Sequence, residues 1–261
     1  MKEPIAIHNL TYKYDKYNVI EDLSLSLEKN KLYSIIGPNG SGKTTLLKNI
    51  LNILEVNKNC IYVDGKDIKS YSTLELAKEI SYVPQNTNID FDFTAYEIVL
   101  MGRSPYIKRL SEETALDKEI VKSAMERTKV WEMRDIKINH LSGGEQQRVF
   151  VARAIAQDTE VILLDEPISH LDICHQIELL DCINTLKENK TIIAVLHDLN
   201  LAAQYSDEII LINSGKIKIQ GSPEEVLTQD LISEVYKLKV SMIKDPNTGK
   251  PHIIPLSNQF I

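Results

Sequence analysis

Residues 37–44 have the residue types and the spacing of a loop that holds phosphate groups. They read Gly-Pro-Asn-Gly-Ser-Gly-Lys-Thr and fit the pattern G-x-x-x-x-G-K-[ST]. Glycines let backbone N–H groups curl around phosphate oxygens, and a helix after the loop adds its positive N-terminal end. Lys43 would bring a mobile cation to the β- and γ-phosphates, and the Thr44 hydroxyl could ligate Mg²⁺. The sequence therefore predicts a polyphosphate site in this loop.

A second candidate for chemistry is the apolar run of residues 161–164, which Asp165 and Glu166 follow directly. Asp165 is placed where a carboxylate could hold the metal ion, and Glu166 could polarise an attacking water as a general base. Alone this motif is weak, because many strands end in acidic residues that only cap the next helix. In a chain that also has a phosphate loop, the catalytic interpretation is favoured.

The third candidate is the segment Leu-Ser-Gly-Gly-Glu-Gln-Gln-Arg at residues 141–148. Ser142 and Glu145 have the spacing of a capping box and predict a helix that continues through Ala156. A capped helix needs no paired glycines, and Gly143 and Gly144 lose backbone entropy on folding. Paired glycines make sense where a phosphate group approaches the helix N-terminus closely.

The spacing of apolar residues predicts the elements that position these motifs. Residues 32–36 form a β-prone run that ends at Gly37, and apolar residues then recur at helical spacing up to Leu54. A strand, a loop and a helix therefore follow one another, as phosphate binding requires. Two later apolar runs, 161–164 and 191–196, have a helical stretch between them and predict buried strands of a parallel sheet.

The other segments also have recognisable periodicity. Alternation at residues 23–27 predicts a half-buried strand, and residues 209–219 predict a hairpin around residues 213–215. Ser222 and Pro223 mark a helix start. Residues 92–157 are helical in character, and their predicted apolar stripes are Leu116, Ile120 and Ala124, and Val149, Ala152 and Ala156.

Composition excludes several classes of protein. The chain of 261 residues is 43% hydrophobic and 26% charged, as expected for a globular protein, and it has no apolar run near membrane-spanning length. Its net charge of −7 argues against a general nucleic-acid binder. Three cysteines without a Cys-x-x-Cys pair suggest neither a disulfide framework nor a zinc knuckle. We expect a soluble, intracellular and reduced chain.

Residues 141–148, which come after a phosphate loop and before an Asp-Glu strand, resemble the signature of ATP-binding cassette (ABC) ATPases. The resemblance covers essentially the whole chain. It implies an α/β fold: a P-loop NTPase core with a mixed or parallel sheet, an N-terminal antiparallel β portion and an inserted helical lobe. The expected single domain has its core at about 1–86 and 158–220, its helical lobe at 87–157 and a C-terminal tail at 221–261.

The resemblance also implies roles for residues outside the three motifs. Tyr14 lies where the family has an aromatic side chain that stacks on adenine, although Tyr12 or Tyr17 could be confused with it. Gln85 resembles the glutamine that contacts Mg²⁺ or water and reports to the transporter. Residues 169–172 resemble a loop that crosses a dimer interface, and His197 resembles the histidine that hydrogen-bonds the γ-phosphate.

In this family the signature of one subunit completes the nucleotide site of another. The resemblance therefore implies a head-to-tail dimer that holds two MgATP molecules, each between residues 37–45 of one copy and residues 142–144 of the other. The implied catalytic residues are Glu166, His197, Lys43 and Gln85, and the implied metal ligands are Thr44, Gln85 and Asp165. The implied nucleotide-binding residues are Tyr14, Gly37, Pro38, Asn39, Gly40, Ser41, Gly42, Lys43, Thr44, Thr45, Ser142, Gly143, Gly144, Gln146 and Asp172.

Three further stretches, residues 101–105, 169–178 and 197–203, are similar to the importer ATPases for iron(III)-siderophores, haem and cobalamin, and so is the ending at residues 251–255. This similarity implies a motor subunit at the cytoplasmic face of the membrane. Its implied partners are a second copy, two membrane-spanning permease subunits and, indirectly, an extracytoplasmic substrate-binding protein, with no nucleic acid. The cargo is not encoded in this chain, because the cassette contacts ATP and its membrane partners only.

The sequence also leaves other functions open. A P-loop kinase or nucleotide switch would share residues 37–44 but has no use for residues 141–148, and a zinc or manganese importer motor is the closer competitor. His170 and His175 suggest a metal site only weakly, because they are expected on different helix faces without a nearby third ligand. A basic cluster, formed by Arg103, Lys108 and Arg109, is expected to be solvated surface or a contact for membrane subunits.

Overall fold

The structure, a computed structural model, describes residues 3–85, 92–108, 111–169 and 171–257. The chain divides into two compact units, of which the first combines Met1–Ser70 with Ile193–Ile261 and the second is Tyr71–Ile192. Within the described ranges, no helix combines the length and the apolar character needed to cross a bilayer. The division into core, lobe and tail stays a prediction, and its boundary at residues 86 and 87 lies outside the described residues.

The strands and helices are numbered in chain order. The strands are β1 (Ile5–Tyr14), β2 (Tyr17–Ser26), β3 (Leu32–Ile36), β4 (Ile61–Val63), β5 (Lys66–Asp67), β6 (Ile80–Val83), β7 (Val161–Asp165), β8 (Thr191–Val195), β9 (Glu208–Asn213), β10 (Lys216–Gly221), β11 (Val240–Lys244) and β12 (Pro251–Pro255). The helices are α1 (Lys43–Ile50), α2 (Thr73–Glu79), α3 (Ala95–Leu100), α4 (Ala115–Arg127), α5 (Gly143–Ala156), α6 (Ile173–Leu186), α7 (Leu199–Tyr205), α8 (Pro223–Val226) and α9 (Gln229–Tyr236).

The first unit contains an antiparallel and a mixed arrangement of strands. The antiparallel sheet has the order β2-β1-β4-β5, and the predicted burial of Leu23 and Leu25 on β2 is confirmed. In the mixed arrangement, β9 pairs in parallel with β3 and antiparallel with β10. Every residue of β3 is buried, so the loop of residues 37–42 follows a strand that lies wholly inside the unit. These features confirm the predicted α/β fold.

The predicted hairpin between β9 and β10 is present. Ser214 and Gly215 have φ values of +49° and +79°. Two positive φ values in a two-residue connection are typical of the type I′ turn, which matches the twist of paired strands. The Gly215 N–H donates to the Ser41 carbonyl at 3.1 Å, and the Gly215 carbonyl accepts from the Glu21 N–H at 3.0 Å. The turn is therefore hydrogen-bonded to both the predicted phosphate loop and β2.

The second unit carries the parallel pair β6 and β7 and the helices α2 to α6. The stripe on α5 is confirmed, because Val149, Ala152 and Ala156 are fully buried. The stripe on α4 is confirmed at Ala124, which is buried, but not at Leu116, which is 62% exposed. The buried face of this helix begins one residue later, at an aspartate, which apolar spacing could not indicate.

That aspartate is Asp117, and it forms a buried ion pair with Arg103. The Arg103 Nε lies 2.9 Å from the Asp117 Oδ1, and both side chains are less than a tenth exposed. Arg103 also donates to the Ala156 carbonyl at 2.9 Å and lies over the ring of Tyr106. The expectation that Arg103 belongs to a solvated basic cluster is therefore wrong. Lys108 is exposed, and Arg109 lies outside the described residues.

Replacing Asp117 with Asn is expected to lower the free energy of unfolding by about 3 kcal/mol, because it leaves the Arg103 guanidinium buried without a counter-ion. Urea unfolding, followed by circular dichroism, measures this change. The matched control is Asp135→Asn, since Asp135 lies 3.4 Å from Arg134 on the surface. The control should change stability by less than about 0.5 kcal/mol. Equal effects of the two substitutions would contradict a structural role for the buried pair.

Candidate functional site

The glycines of residues 37–42 are required by the backbone of the loop. Gly37, Gly40 and Gly42 have φ values of +150°, +77° and +103°, where L-residues are rarely found. A Cβ on Gly37 would collide with the Ile212 carbonyl oxygen, and one on Gly42 would lie 2.8 Å from the Val19 carbonyl oxygen. The close approach of neighbouring strands thus permits only glycine at these two positions.

Lys43 begins α1, and its side chain lies along the loop. Its Nζ donates to the carbonyl oxygens of Gly37 at 2.8 Å and Pro38 at 3.0 Å, and the residue is 6% exposed. The Ser41 Oγ is also buried and has no hydrogen-bond partner among the described residues. A buried hydroxyl without a partner is costly, and an anion in the loop would satisfy it. A buried cation and an orphaned donor fit the phosphate groups that the sequence predicts.

A residue that the sequence did not single out also contacts this loop. Tyr236 ends α9, and its hydroxyl forms a hydrogen bond with the Gly37 backbone. Burial raises the pKa of Tyr236 to about 12, and the bond with Gly37 partly opposes that shift. No local pattern marks this tyrosine, because it lies far from the loop in sequence. The hydrogen bond connects the end of α9 to the loop.

His197 and Tyr14 are the other predicted site residues in the first unit. His197 is exposed and lies between the end of β8 and the N-cap of α7, Asp198, whose carboxylate accepts from the Leu201 N–H at 2.9 Å. Tyr14 is 42% exposed at the end of β1, and Tyr17, its partner in the strand register, is 79% exposed. Both rings are accessible to a ligand.

In the second unit, the predicted acidic pair of Asp165 and Glu166 lies at the end of β7. Asp165 is fully buried and accepts a hydrogen bond from the Tyr82 hydroxyl at 3.3 Å. Burial, and then the charge of Asp165, raise the pKa of Tyr82, so the tyrosine stays a donor. Sequence reasoning missed this contact, which arises because β6 pairs in parallel with β7. The hydrogen bond therefore fixes the orientation of the Asp165 carboxylate.

Glu166 is half-buried and has a left-handed backbone conformation, with φ at +53°. Its carbonyl accepts from the Ser169 N–H at 3.2 Å and the Ser169 Oγ at 2.8 Å, which fixes the turn after the strand. A non-glycine residue in this region costs about 1 kcal/mol or more, and such strain is concentrated at functional sites.

The third motif lies at the N-terminus of α5, where the predicted capping box is confirmed. The Glu145 Oε2 accepts from the Ser142 N–H at 2.7 Å, and the Glu145 N–H donates to the Ser142 Oγ at 3.4 Å. The Ser142 Oγ, which also donates to the Glu145 Oε2 at 2.7 Å, and then the Ser142 N–H lower the pKa of Glu145. No described residue lies within 4 Å of a Cβ built on Gly143, whereas one on Gly144 would lie 3.1 Å from Leu171 Cδ2. The helix end is thus exposed on the Gly143 side.

The remaining predicted residues lie at the edges of the second unit. Gln85 is exposed two residues after β6, and the Gln146 amide donates to the Leu141 carbonyl at 2.9 Å. Asp172 caps α6 and accepts from the His175 N–H at 2.9 Å. His170 lies outside the described residues. Across the ranges that the structure describes, no group of three or more His, Cys, Asp and Glu side chains could hold a metal ion.

The oxygen donors assigned to Mg²⁺ are a hydroxyl, a carboxylate and an amide, from Thr44, Asp165 and Gln85. Hard oxygen donors of this kind are the ligands that Mg²⁺ prefers, so the chemistry of the set fits the ion. Thr44 belongs to the first unit, and the other two residues belong to the second. Thr45, beside Thr44, is buried in the first turn of α1.

Comparisons with known proteins are consistent with this chemistry. The sequence profile of the ABC transporter family matches residues 20–169. The ferric enterobactin transport ATP-binding protein FepC of Escherichia coli K12 is 39% identical over 249 residues, which are 95% of this chain and 92% of the relative. The iron(3+)-hydroxamate import ATP-binding protein FhuC of Bacillus subtilis is 37% identical over 252 residues, or 95% and 93% of the two chains.

Solved structures show the same fold. An inward-facing metal-chelate type ABC transporter matches with a TM-score of 0.86 at 27% identity, over 100% of both chains. A dimeric post-hydrolysis state of the cassette MJ0796, bound to ADP and Pi, matches with a TM-score of 0.73 at 26% identity, over 84% of this chain and 98% of the other. Both likenesses extend over most of the chain.

Proposed function

This chain belongs to the ABC transporter family, and we propose that it powers the import of iron(III)-siderophore complexes. It is an ATPase and the motor subunit of an importer, since an ABC ATPase domain binds ATP and the relatives are import subunits. The observation that supports the siderophore cargo is the 39% identity to a ferric enterobactin subunit over nearly the whole chain. A cobalamin import relative from Halobacterium salinarum is 37% identical, but only 61% of its length is covered. Haem, zinc and manganese are the competing cargoes.

We propose that the working site is shared between two copies. Residues 37–45 of one copy and residues 142–144 of the other would bind one MgATP between them, in a head-to-tail dimer. Two features support this proposal: the exposed helix end at Gly143, and the dimeric cassette structure among the neighbours. Gln146 is part of the signature at residues 141–148, and Asp172 ends the loop that follows β7. Both residues would therefore lie near the same interface.

Catalysis in this site rests on positioning and charge. Lys43 and the loop N–H groups orient the β- and γ-phosphates, and His197 donates to the γ-phosphate. Glu166 accepts a proton from the attacking water. Thr44, Asp165 and Gln85 would hold Mg²⁺, which would supply positive charge to the phosphate oxygens. The remaining loop residues, which supply backbone contacts to the phosphates, are Gly37, Pro38, Asn39, Gly40, Ser41 and Gly42.

The proposed location is the cytoplasmic face of the membrane, where the chain is peripheral and docks on two permease subunits. Gln85, exposed beside the end of β6, would transmit the state of the nucleotide to them. An extracytoplasmic substrate-binding protein would act on the far side. The net charge of −7 does not favour nucleic acid as a partner.

Deletion of the gene, followed by growth on single iron sources, tests the cargo. We expect growth on one or more ferric siderophores to be lost and growth on haem or inorganic iron salts to be kept. Loss of cobalamin uptake with normal siderophore use would overturn the cargo. ATP-driven dimerisation, measured by light scattering, separates a cassette motor from a P-loop kinase or switch, which has no partner signature to engage.

Replacing Tyr14 with Ala is expected to raise the KM for ATP by about tenfold, since an aromatic ring stacked on a base contributes about 1–3 kcal/mol. The turnover number should change little, because adenine is remote from the reacting phosphate. Tyr17→Ala is the matched control, as Tyr17 lies on the same face and is more exposed. If only the control raises KM, then Tyr17 and not Tyr14 stacks on adenine.

A further inference from the structure

The C-terminal hairpin of β11 and β12 is attached to the helix that follows His197. Ile253 of β12 donates its N–H to the Asn200 Oδ1 at 2.7 Å and accepts from the Asn200 Nδ2 at 3.2 Å. Asn200 is the second residue of α7 and lies three positions after His197. Residues 197–203 and 251–255 are two of the stretches that the sequence singled out, and this contact joins them.

The contact satisfies hydrogen-bonding groups of both β12 and the Asn200 side chain. β12 has one paired edge, against β11, and its other edge presents N–H and C=O groups that need partners. A carboxamide has N–H donors and a C=O acceptor in the same plane, so it can form the same pair of hydrogen bonds as a neighbouring peptide group. Ile253 is 4% exposed, and the two bonds are part-buried.

The start of α7 is held from two sides. Asp198 caps the helix by accepting from the Asn200 N–H at 2.8 Å, while the Asn200 side chain is fixed by β12. His197 is exposed and directly precedes this cap. The preceding residue, Leu196, donates its N–H to the Ile35 carbonyl at 3.2 Å. Hydrogen bonds to β3 before His197 and to β12 after it therefore restrain the backbone on both sides of His197.

We propose that Asn200 is a positioning residue, through which the C-terminal hairpin sets the orientation of His197 toward the γ-phosphate. The proposal rests on the proposed role of His197. In this role Asn200 would act through His197 and not through a contact with the nucleotide. If the contact between Asn200 and Ile253 were lost, ATP binding would stay intact, and the step in which His197 acts would become slower.

The chain contains a matched control at the other end of the same helix. The Lys250 Nζ donates to the Gln204 carbonyl at 2.8 Å and approaches the Ser206 carbonyl at 3.4 Å, so it ties the same hairpin to the C-terminus of α7. A cation there also interacts favourably with the helix dipole. Lys250→Met would weaken the attachment of the hairpin without changing the contact near His197.

The test compares Asn200→Ala with Lys250→Met in the purified full-length chain. Asn200→Ala should lower kcat by about tenfold, as expected when a catalytic group is displaced, and should leave the dissociation constant for ATP unchanged. Lys250→Met should lower the melting temperature but keep kcat. The His197 ring signals in the NMR spectrum of the nucleotide-free chain should shift in Asn200→Ala only. Equal effects of both substitutions on kcat would overturn the proposal.

A double-substitution cycle separates positioning through His197 from a general loss of structure. In a His197→Ala background, Asn200→Ala should cause no further loss of kcat, because the group that it positions is gone. Multiplying losses would overturn the proposal. Asn200→Asp, which keeps the acceptor for Ile253, provides an intermediate variant if Asn200→Ala folds poorly. Full turnover in His197→Ala alone would instead refute the proposed role of His197, which makes the two failures distinguishable.

Discussion

Replacing Glu166 with Gln is expected to lower ATP turnover by about 10²- to 10⁴-fold, the range that a general base contributes. A carboxamide has the size of the carboxylate but cannot accept the proton of the attacking water. ATP binding should persist, because the loop of residues 37–45 is untouched. The chain should therefore accumulate as an ATP-bound dimer, which gel filtration with light scattering detects.

The control for this prediction is Glu188→Gln, which removes one carboxylate from an exposed position of the same unit. It should hydrolyse ATP at the normal rate and should not accumulate as a dimer. Near-normal turnover in Glu166→Gln would rule out Glu166 as the general base.

Replacing Gly143 with Asp is expected to abolish hydrolysis while the isolated chain stays as stable as before. An acidic residue in the first turn of α5 is favourable for the helix dipole, and no described residue lies within 4 Å of the new Cβ. In the dimer, however, the carboxylate would face the γ-phosphate on the partner. Removing one such stabilising contact typically costs about 10²- to 10³-fold in rate, and repulsion adds to this loss. The ATPase rate and the melting temperature measure the two effects.

Mixing two inactive variants tests whether the site is shared. Lys43→Ala disables the loop but keeps the signature, and Gly143→Asp does the reverse. A mixed dimer contains one complete site, so part of the activity should return on mixing. Activity that stays absent at all mixing ratios, although mixed dimers form, would contradict the shared site.

The sequence predicted the parts of this molecule that local chemistry determines. The phosphate loop, the capping box at Ser142 and the turn at Gly215 each depend on residues that are close in the chain. The contacts of Tyr82 with Asp165, and of Asn200 with Ile253, join residues far apart, and no local pattern marks them. On α4, burial was predicted wrongly at Leu116, because the buried position in that turn is Asp117, whose counter-ion lies outside the helix.

Long-range placement also limits what could be predicted of the candidate site. Asp165 and Glu166 were found because they end a recognisable strand. The strained backbone of Glu166 was not foreseen, since glutamate rarely adopts positive φ and nothing nearby in sequence compensates for it. Tyr236 reaches the loop only because the first unit brings the end of α9 next to residues 38–41.

The exposed helix end at Gly143 determines how the rate of ATP hydrolysis depends on the concentration of the chain. A chain that needs a second copy to complete each site hydrolyses ATP at a rate per molecule that rises with its own concentration. In the proposed complex, two chains docked on one pair of permeases would experience an effective concentration of roughly the millimolar order. Undocked chains, dispersed through the cell at lower concentration, would stay idle. We expect the cell's ATP to be consumed mainly where a transport pathway is present.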